Sequence, residues 1–149
     1  MQSLLEKLAE ALNGQVHEER ERRVELSELP AEVNGLKPTI IKQGVLRESG
    51  SGDNVKAYAR IRMKQDPGKE PKYSLGVKHF SRSEEAETEI SKAMFDAFYP
   101  DNLDKPQSKK RYTLKSGWEI DDIEDGTIRA EFEHDKGEKV TIPKEWKRK

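Results

Sequence analysis

The sequence predicts an α+β fold built on an antiparallel sheet or barrel, and three observations carry that expectation. Apolar and charged residues alternate with a period of two through much of the chain. Asn34-Gly35, Pro67-Gly68, Ser116-Gly117 and Asp125-Gly126 punctuate these segments as turns. Helical spacing is confined to two stretches. Short turns join antiparallel neighbours, whereas parallel strands need long crossovers. The 149 residues suit one domain of ordinary size.

The elements follow in order. Residues 3–13 read as a helix: Ser3 and Glu6 have capping-box spacing, and Leu4, Leu5, Leu8 and Leu12 form one stripe that Gly14 ends. That stripe suits covering the sheet or a homodimer contact. Residues 1–14 are therefore set apart from a main domain over 15–149. Strands are expected over 15–26, 39–47, 56–64 and 73–79, the last two as a hairpin around Pro67-Gly68. Ser49 to Asn54 make a turn. Ala86, Ile90, Ala93, Met94, Ala97 and Phe98 have helical spacing, so Ser83–Phe98 is expected as a helix that Pro100 stops. Strands over 107–114, 117–123 and 127–134 follow, then a tail with Ile142-Pro143 and Trp146. About seven strands and two helices result. Tyr112, Trp118 and Trp146 read as packing residues.

Charge sets the chemistry that is open to the chain. Charged residues make up 38% and hydrophobic ones 32%, which calls for a modest core and a second, polar surface. Twenty-eight Lys and Arg nearly cancel 29 Asp and Glu, so a strongly basic binder of duplex nucleic acid is not indicated. The absence of cysteine excludes a disulfide framework and a thiolate metal site. No signal peptide and no apolar run of membrane-spanning length is visible, so a cytoplasmic protein without a membrane partner is expected.

Several strands set a charged face against an apolar one. Arg60 and Arg62 alternate with Ala59, Ile61 and Met63, and Glu131 and Glu133 with Ala130 and Phe132. Lys109 and Arg111 share a face, as do Glu119 and Asp121. Two readings are open. An antiparallel sheet can bury one face and solvate the other, leaving the charges loosely paired across strands. Alternatively the charged faces point inward and line a cavity. Clustered carboxylates there would call for a cation, and a hard divalent metal prefers oxygen ligands and bridges to phosphate. Arg and Lys match phosphate oxygens.

The order of the motifs favours the inward reading. Glu19-Arg20-Glu21-Arg22-Arg23 precedes Val24-Glu25-Leu26 and the Leu29-Pro30 turn. Gln43-Gly44-Val45-Leu46, Arg60-Ile61-Arg62 and Lys78 follow, then Glu85, Glu87 and Glu89. Lys109-Lys110-Arg111-Tyr112, Trp118-Glu119-Ile120-Asp121, Ala130-Glu131-Phe132-Glu133 and Pro143-Lys144-Glu145-Trp146 complete the series. In this order the chain resembles the CYTH domain, or triphosphate tunnel metalloenzyme family, over residues 18–146. Each motif alone is common by chance; the series is specific. Arg23 stands where that family's opening motif carries lysine. The final closing strand looks shortened after Trp146.

The resemblance implies a closed antiparallel barrel, a triphosphate tunnel with a few flanking helices. It implies that Arg60, Arg62, Lys78, Lys109 and Arg111 bind phosphate oxygens, with Arg23 joining them. It implies that Glu19, Glu21, Glu87, Asp121, Glu131 and Glu133 hold Mg²⁺ or Mn²⁺, and that Glu19, Glu21 and Arg23 take part in catalysis. The implied activity is metal-dependent hydrolysis of a triphosphate, inorganic tripolyphosphate or a nucleoside or organic triphosphate. The Gln43-Gly44-Val45-Leu46 strand is similar to triphosphatase-type bacterial members. A non-catalytic binder of phosphorylated ligands is the second reading, and an adenylate cyclase the third.

Overall fold

Side-chain alternation decides most of the elements. The computed structural model describes residues 17–18, 21–49, 57–79, 84–99, 104–134 and 138–149. Their backbone forms one antiparallel sheet of nine segments. These are β1 (His17–Glu18), β2 (Glu21–Leu26), β3 (Thr39–Ser49), β4 (Ala57–Gln65), β5 (Lys72–His79), β6 (Glu84–Ile90), β7 (Asp104–Thr113), β8 (Glu119–Ile123) and β9 (Ile128–Glu133). One α-helix, α1 (Lys92–Phe98), follows β6. The expected N-terminal helix, with its leucine stripe, lies outside the described residues, as does most of the turn after Ser49.

The expected helix over Ser83–Phe98 is corrected. Its first half is β6, which pairs with β5 from Tyr73↔Ile90 to His79↔Glu84. The helix starts at Ser91, whose side chain accepts a hydrogen bond from the Met94 amide at 3.1 Å. The N-cap signal is thus eight residues later than Ser83. Pairing with β5 overrides the weak strand propensity of Glu and Ala. Glu85, Glu87 and Glu89 consequently share a face.

The strand order is β1-β6-β5-β4-β3-β7-β8-β9-β2. The outermost segments, β1 and β2, are consecutive in the chain. Three peptide steps separate Glu18 from Glu21, so the two edges lie within roughly 11 Å of each other. The sheet must therefore curl. Lys78 on β5 reaches Glu21 on β2 at 3.3 Å across the hollow. Even so, β1 pairs with β6 and β2 with β9, and the two do not pair together. The expected closed barrel is corrected to a curled sheet whose hydrogen-bonded ring is open. The tail runs beside β2: Leu26 bridges Arg148, and Lys149 donates to the Glu25 carbonyl at 3.1 Å.

The convex face is apolar. Leu26, Leu114, Trp118, Ile120, Ala130 and Trp146 form its main core cluster. Trp118 meets Trp146 edge-on at 5.2 Å and Phe132 at 5.4 Å. Trp146 donates its indole N–H to Glu32 at 2.9 Å. Gly117, with φ of 99°, makes the β7–β8 turn, and a Cβ there would come within 3.0 Å of the Phe132 ring. Phe95 of α1 covers Ile61 and Met63. Period two then sends the alternate, charged residues to the concave side.

Candidate functional site

The concave face encloses a cavity of about 310 Å³. Glu21 and Arg23 enter it from β2, Arg60 and Arg62 from β4, and Lys78 from β5. Lys109 and Arg111 enter from β7, and Glu131 and Glu133 from β9. Nine of the residues singled out in the sequence thus meet in one space. Among the described residues, Glu87 and Asp121 do not line it. Glu19 lies outside the described residues. Glu87 stands to one side, 41% exposed and 3.7 Å from Arg60. Asp121 is fully buried beneath the wall.

The β7–β8 side is organised by Asp121. Arg111 donates Nε and Nη2 to its two oxygens at 2.7 and 2.9 Å. Lys109 Nζ stands 2.8 Å from Oδ2. Burial pushes the Asp121 carboxyl up, but the hydrogen bonds and charges of Arg111 and Lys109 outweigh it, so the carboxyl titrates below its ordinary value. Burial would also lower Arg111, yet Asp121, Glu119 and Glu131 raise it. Lys109 is lowered, chiefly by burial. Both Asp121 oxygens are thus committed to cations.

Arg62 is the most crowded cation. Burial first, then the charges of Arg60 and Arg111, bring its guanidinium down to about 10. Its Nε donates to Gln43 Oε1 at 2.9 Å, and Gln43 donates on to Gln107 at 3.3 Å. Of these three neighbouring guanidinium groups, Arg60 and Arg111 have carboxylate partners, whereas Arg62 makes no ion pair among the described residues; an anion answers its charge, and phosphate oxygens suit that planar donor geometry.

The β2–β9 side has the opposite problem. Burial pushes the Glu131 carboxyl up, and the charge of Glu21 and its hydrogen bond push it further. Glu119 also stands directly opposite Glu131 across β8 and β9. Arg23 offsets part of this repulsion, 3.1 Å from Glu21 and 3.2 Å from Glu131, but is itself half exposed. Among the described residues, no group of three or more His, Asp or Glu is assembled to hold a metal. The Glu21–Glu131 pair nevertheless suits a hard cation. Its mutual repulsion is what a divalent ion relieves, and Mg²⁺ is commonly held by one or two carboxylates plus a ligand's phosphates.

Further lining residues are Gln43, Tyr58, Glu85, Gln107, Glu119 and Arg129. Glu85 accepts from Arg60 at 3.0 Å, a closer place than that of Glu87. Gln43 belongs to the Gln43-Gly44-Val45-Leu46 motif, whereas Gln107 carries no charge and stood in no motif. Arg129 could have been found, because it stands two residues before Glu131 on the same strand face.

No known family profile and no curated protein matches the sequence. Solved structures do. Two crystal structures of the protein NE1496 match, one described as a hypothetical protein and the other as an inorganic triphosphatase. Both have a TM-score of 0.53 and 17% identity. The first match covers 87% of each chain, the second 88% of this chain and 85% of the other. With the curled antiparallel sheet, this likeness shows that the chain shares the fold of NE1496, a CYTH-like fold.

Proposed function

We propose that this protein binds a triphosphate along the concave face of the sheet and hydrolyses it with the help of a divalent metal. The observation that carries the proposal is the meeting of two charge sets in one cavity. Crowded guanidinium groups on β4 and β7 face a self-repelling carboxylate pair on β2 and β9. The likeness to a structure described as an inorganic triphosphatase agrees with it.

In this reading Arg60, Arg62, Lys78, Lys109 and Arg111 bind phosphate oxygens and neutralise charge as it develops. Phosphoryl transfer asks a protein mainly for positioning and electrostatic stabilisation, so no nucleophilic side chain is required. Glu21 and Glu131, with Glu133 beside them, would hold Mg²⁺ or Mn²⁺, which when bound supplies charge neutralisation and a nucleophilic water at neutral pH. Glu19 belongs to this set by resemblance alone. Asp121 is a positioning residue: it fixes the direction in which Lys109 and Arg111 point. Glu87 acts from the side through Arg60. Arg23 holds Glu21 and Glu131 in register with each other.

Phosphate release from tripolyphosphate, ATP and thiamine triphosphate, with Mg²⁺, Mn²⁺ or EDTA, tests this. Metal-dependent release from at least one of them is expected, and Glu131→Gln should abolish it. Release that persists unchanged in EDTA would sink the metal-dependent mechanism.

One observation favours a second reading, a metal-independent binder of phosphorylated ligands. Arg23 already contacts both carboxylates of the pair, so a guanidinium stands where a metal would be useful. Tight tripolyphosphate binding in EDTA, without turnover in any metal, would select it.

A further inference from the structure

The cations of the concave face are unequally matched. Arg60 rests against Glu85, and Lys109 and Arg111 rest against Asp121. Arg23 contacts two carboxylates, and Lys78 contacts Glu21. Arg129 differs. Its Nε is buried without a hydrogen-bond partner. Among the described residues it makes no ion pair, and its electrostatic neighbour is Asp125, in the exposed turn between β8 and β9.

Register explains the isolation. Arg129 stands opposite Asp121 on one side and Glu25 on the other. Asp121 holds Arg111 and Lys109 instead, and neither it nor Glu25 forms an ion pair with Arg129 among the described residues. Arg129 shares a strand face with Glu131 and Glu133 and lines the same cavity. It sits two residues nearer the β8–β9 turn than Glu131, roughly 7 Å along the strand. A buried guanidinium N–H without an acceptor costs free energy until an acceptor arrives. The acceptor that fits is anionic, oxygen-rich and inside the cavity.

We propose that Arg129 is a ligand-binding residue that holds the phosphate group farthest from the Glu21–Glu131 pair, at the end of the cavity marked by the β8–β9 turn. This rests on the phosphate-binding reading above. It assigns Arg129 to chain length: a triphosphate reaches it and a diphosphate does not.

Calorimetric titration of tripolyphosphate and diphosphate, in EDTA, tests the assignment on wild type, Arg129→Gln and Arg129→Lys. Arg129→Gln should weaken tripolyphosphate binding at least tenfold, about 1.4 kcal/mol, and change diphosphate binding less than twofold. Arg129→Lys keeps the charge but not the fork, and should fall between. Matching melting temperatures separate lost binding from lost fold. A tripolyphosphate affinity within twofold of wild type in Arg129→Gln, or equal losses for both ligands, would overturn the assignment while leaving the phosphate reading intact. A wild-type protein that bound neither ligand would overturn both.

Discussion

Asp121 and Glu131 stand on neighbouring strands of one sheet, and the sheet treats their carboxylates in opposite ways. Asp121 is fully buried, with Arg111 and Lys109 on its oxygens, and its pKa is held down. Glu131 lines the cavity beside Glu21 and opposite Glu119, and its pKa is pushed up by burial and by Glu21. The first carboxylate is finished: its charge is spent on holding cations in place. The second is unfinished, because Glu21 and Glu119 add to its charge and only half-exposed Arg23 answers it. The difference separates a scaffold from a site. Where a buried charge already has its partners it builds the wall; where it lacks them it has room for a ligand.

The largest effect should come from breaking the finished side. Asp121→Asn leaves buried Lys109 without its counter-charge and Arg111 with only Glu119, 3.4 Å away, and losing one partner of a buried pair costs roughly 3–5 kcal/mol. Urea unfolding measures this. A loss below about 1 kcal/mol, the range of exposed pairs, would erase the contrast.

The pH dependence should differ in sign between the two carboxylates. Asp121 has a lowered folded pKa, so its stabilisation is present above the unfolded carboxyl value and is lost as pH falls through the folded one. Glu131 has a raised folded pKa, so its contribution is complete below the unfolded value and is lost as pH rises through the folded one. Metal-free wild type should therefore lose melting temperature as pH rises above the ordinary glutamate range, and Glu131→Gln should not. Identical curves for the two proteins would break the comparison.

A smaller effect sharpens it. Glu131→Gln removes the like-charge contacts with Glu21 and Glu119, a gain of up to roughly 1 kcal/mol in the absence of metal. The same change gives up an ion pair with half-exposed Arg23, which is worth little. A variant that loses activity and gains stability marks a functional group. Loss of both would make Glu131 structural.

Much of this was legible in the sequence because a curled antiparallel sheet writes itself with period two. Arg60 and Arg62 between Ala59, Ile61 and Met63 state both their strand and their face, and the β4–β5 hairpin around Pro67-Gly68 follows. The stretch Glu84–Ile90 was not legible. Ala86 and Ile90 fit a helix as well as a strand, and only the free edge of β5 decides between them. Open closure was hidden too, since it depends on which segments pair rather than on what any segment contains. At the site, the family resemblance made Asp121 one more metal ligand. Its true setting depends on Arg111 and Lys109, ten and twelve residues away in sequence and adjacent only across the β7–β8 ladder. Charge types can be read along a chain, whereas charge partners need the register.

The most direct test of the central claim is calorimetric titration of tripolyphosphate into the wild-type protein and into Arg62→Gln. Arg62 is partly buried among cations and hydrogen-bonded to Gln43, so its removal spares every ion pair between described residues of the wall. Wild type should bind saturably and the variant at least tenfold more weakly, about 1.4 kcal/mol. Equal affinity in the two proteins, or no binding by wild type, would contradict the claim.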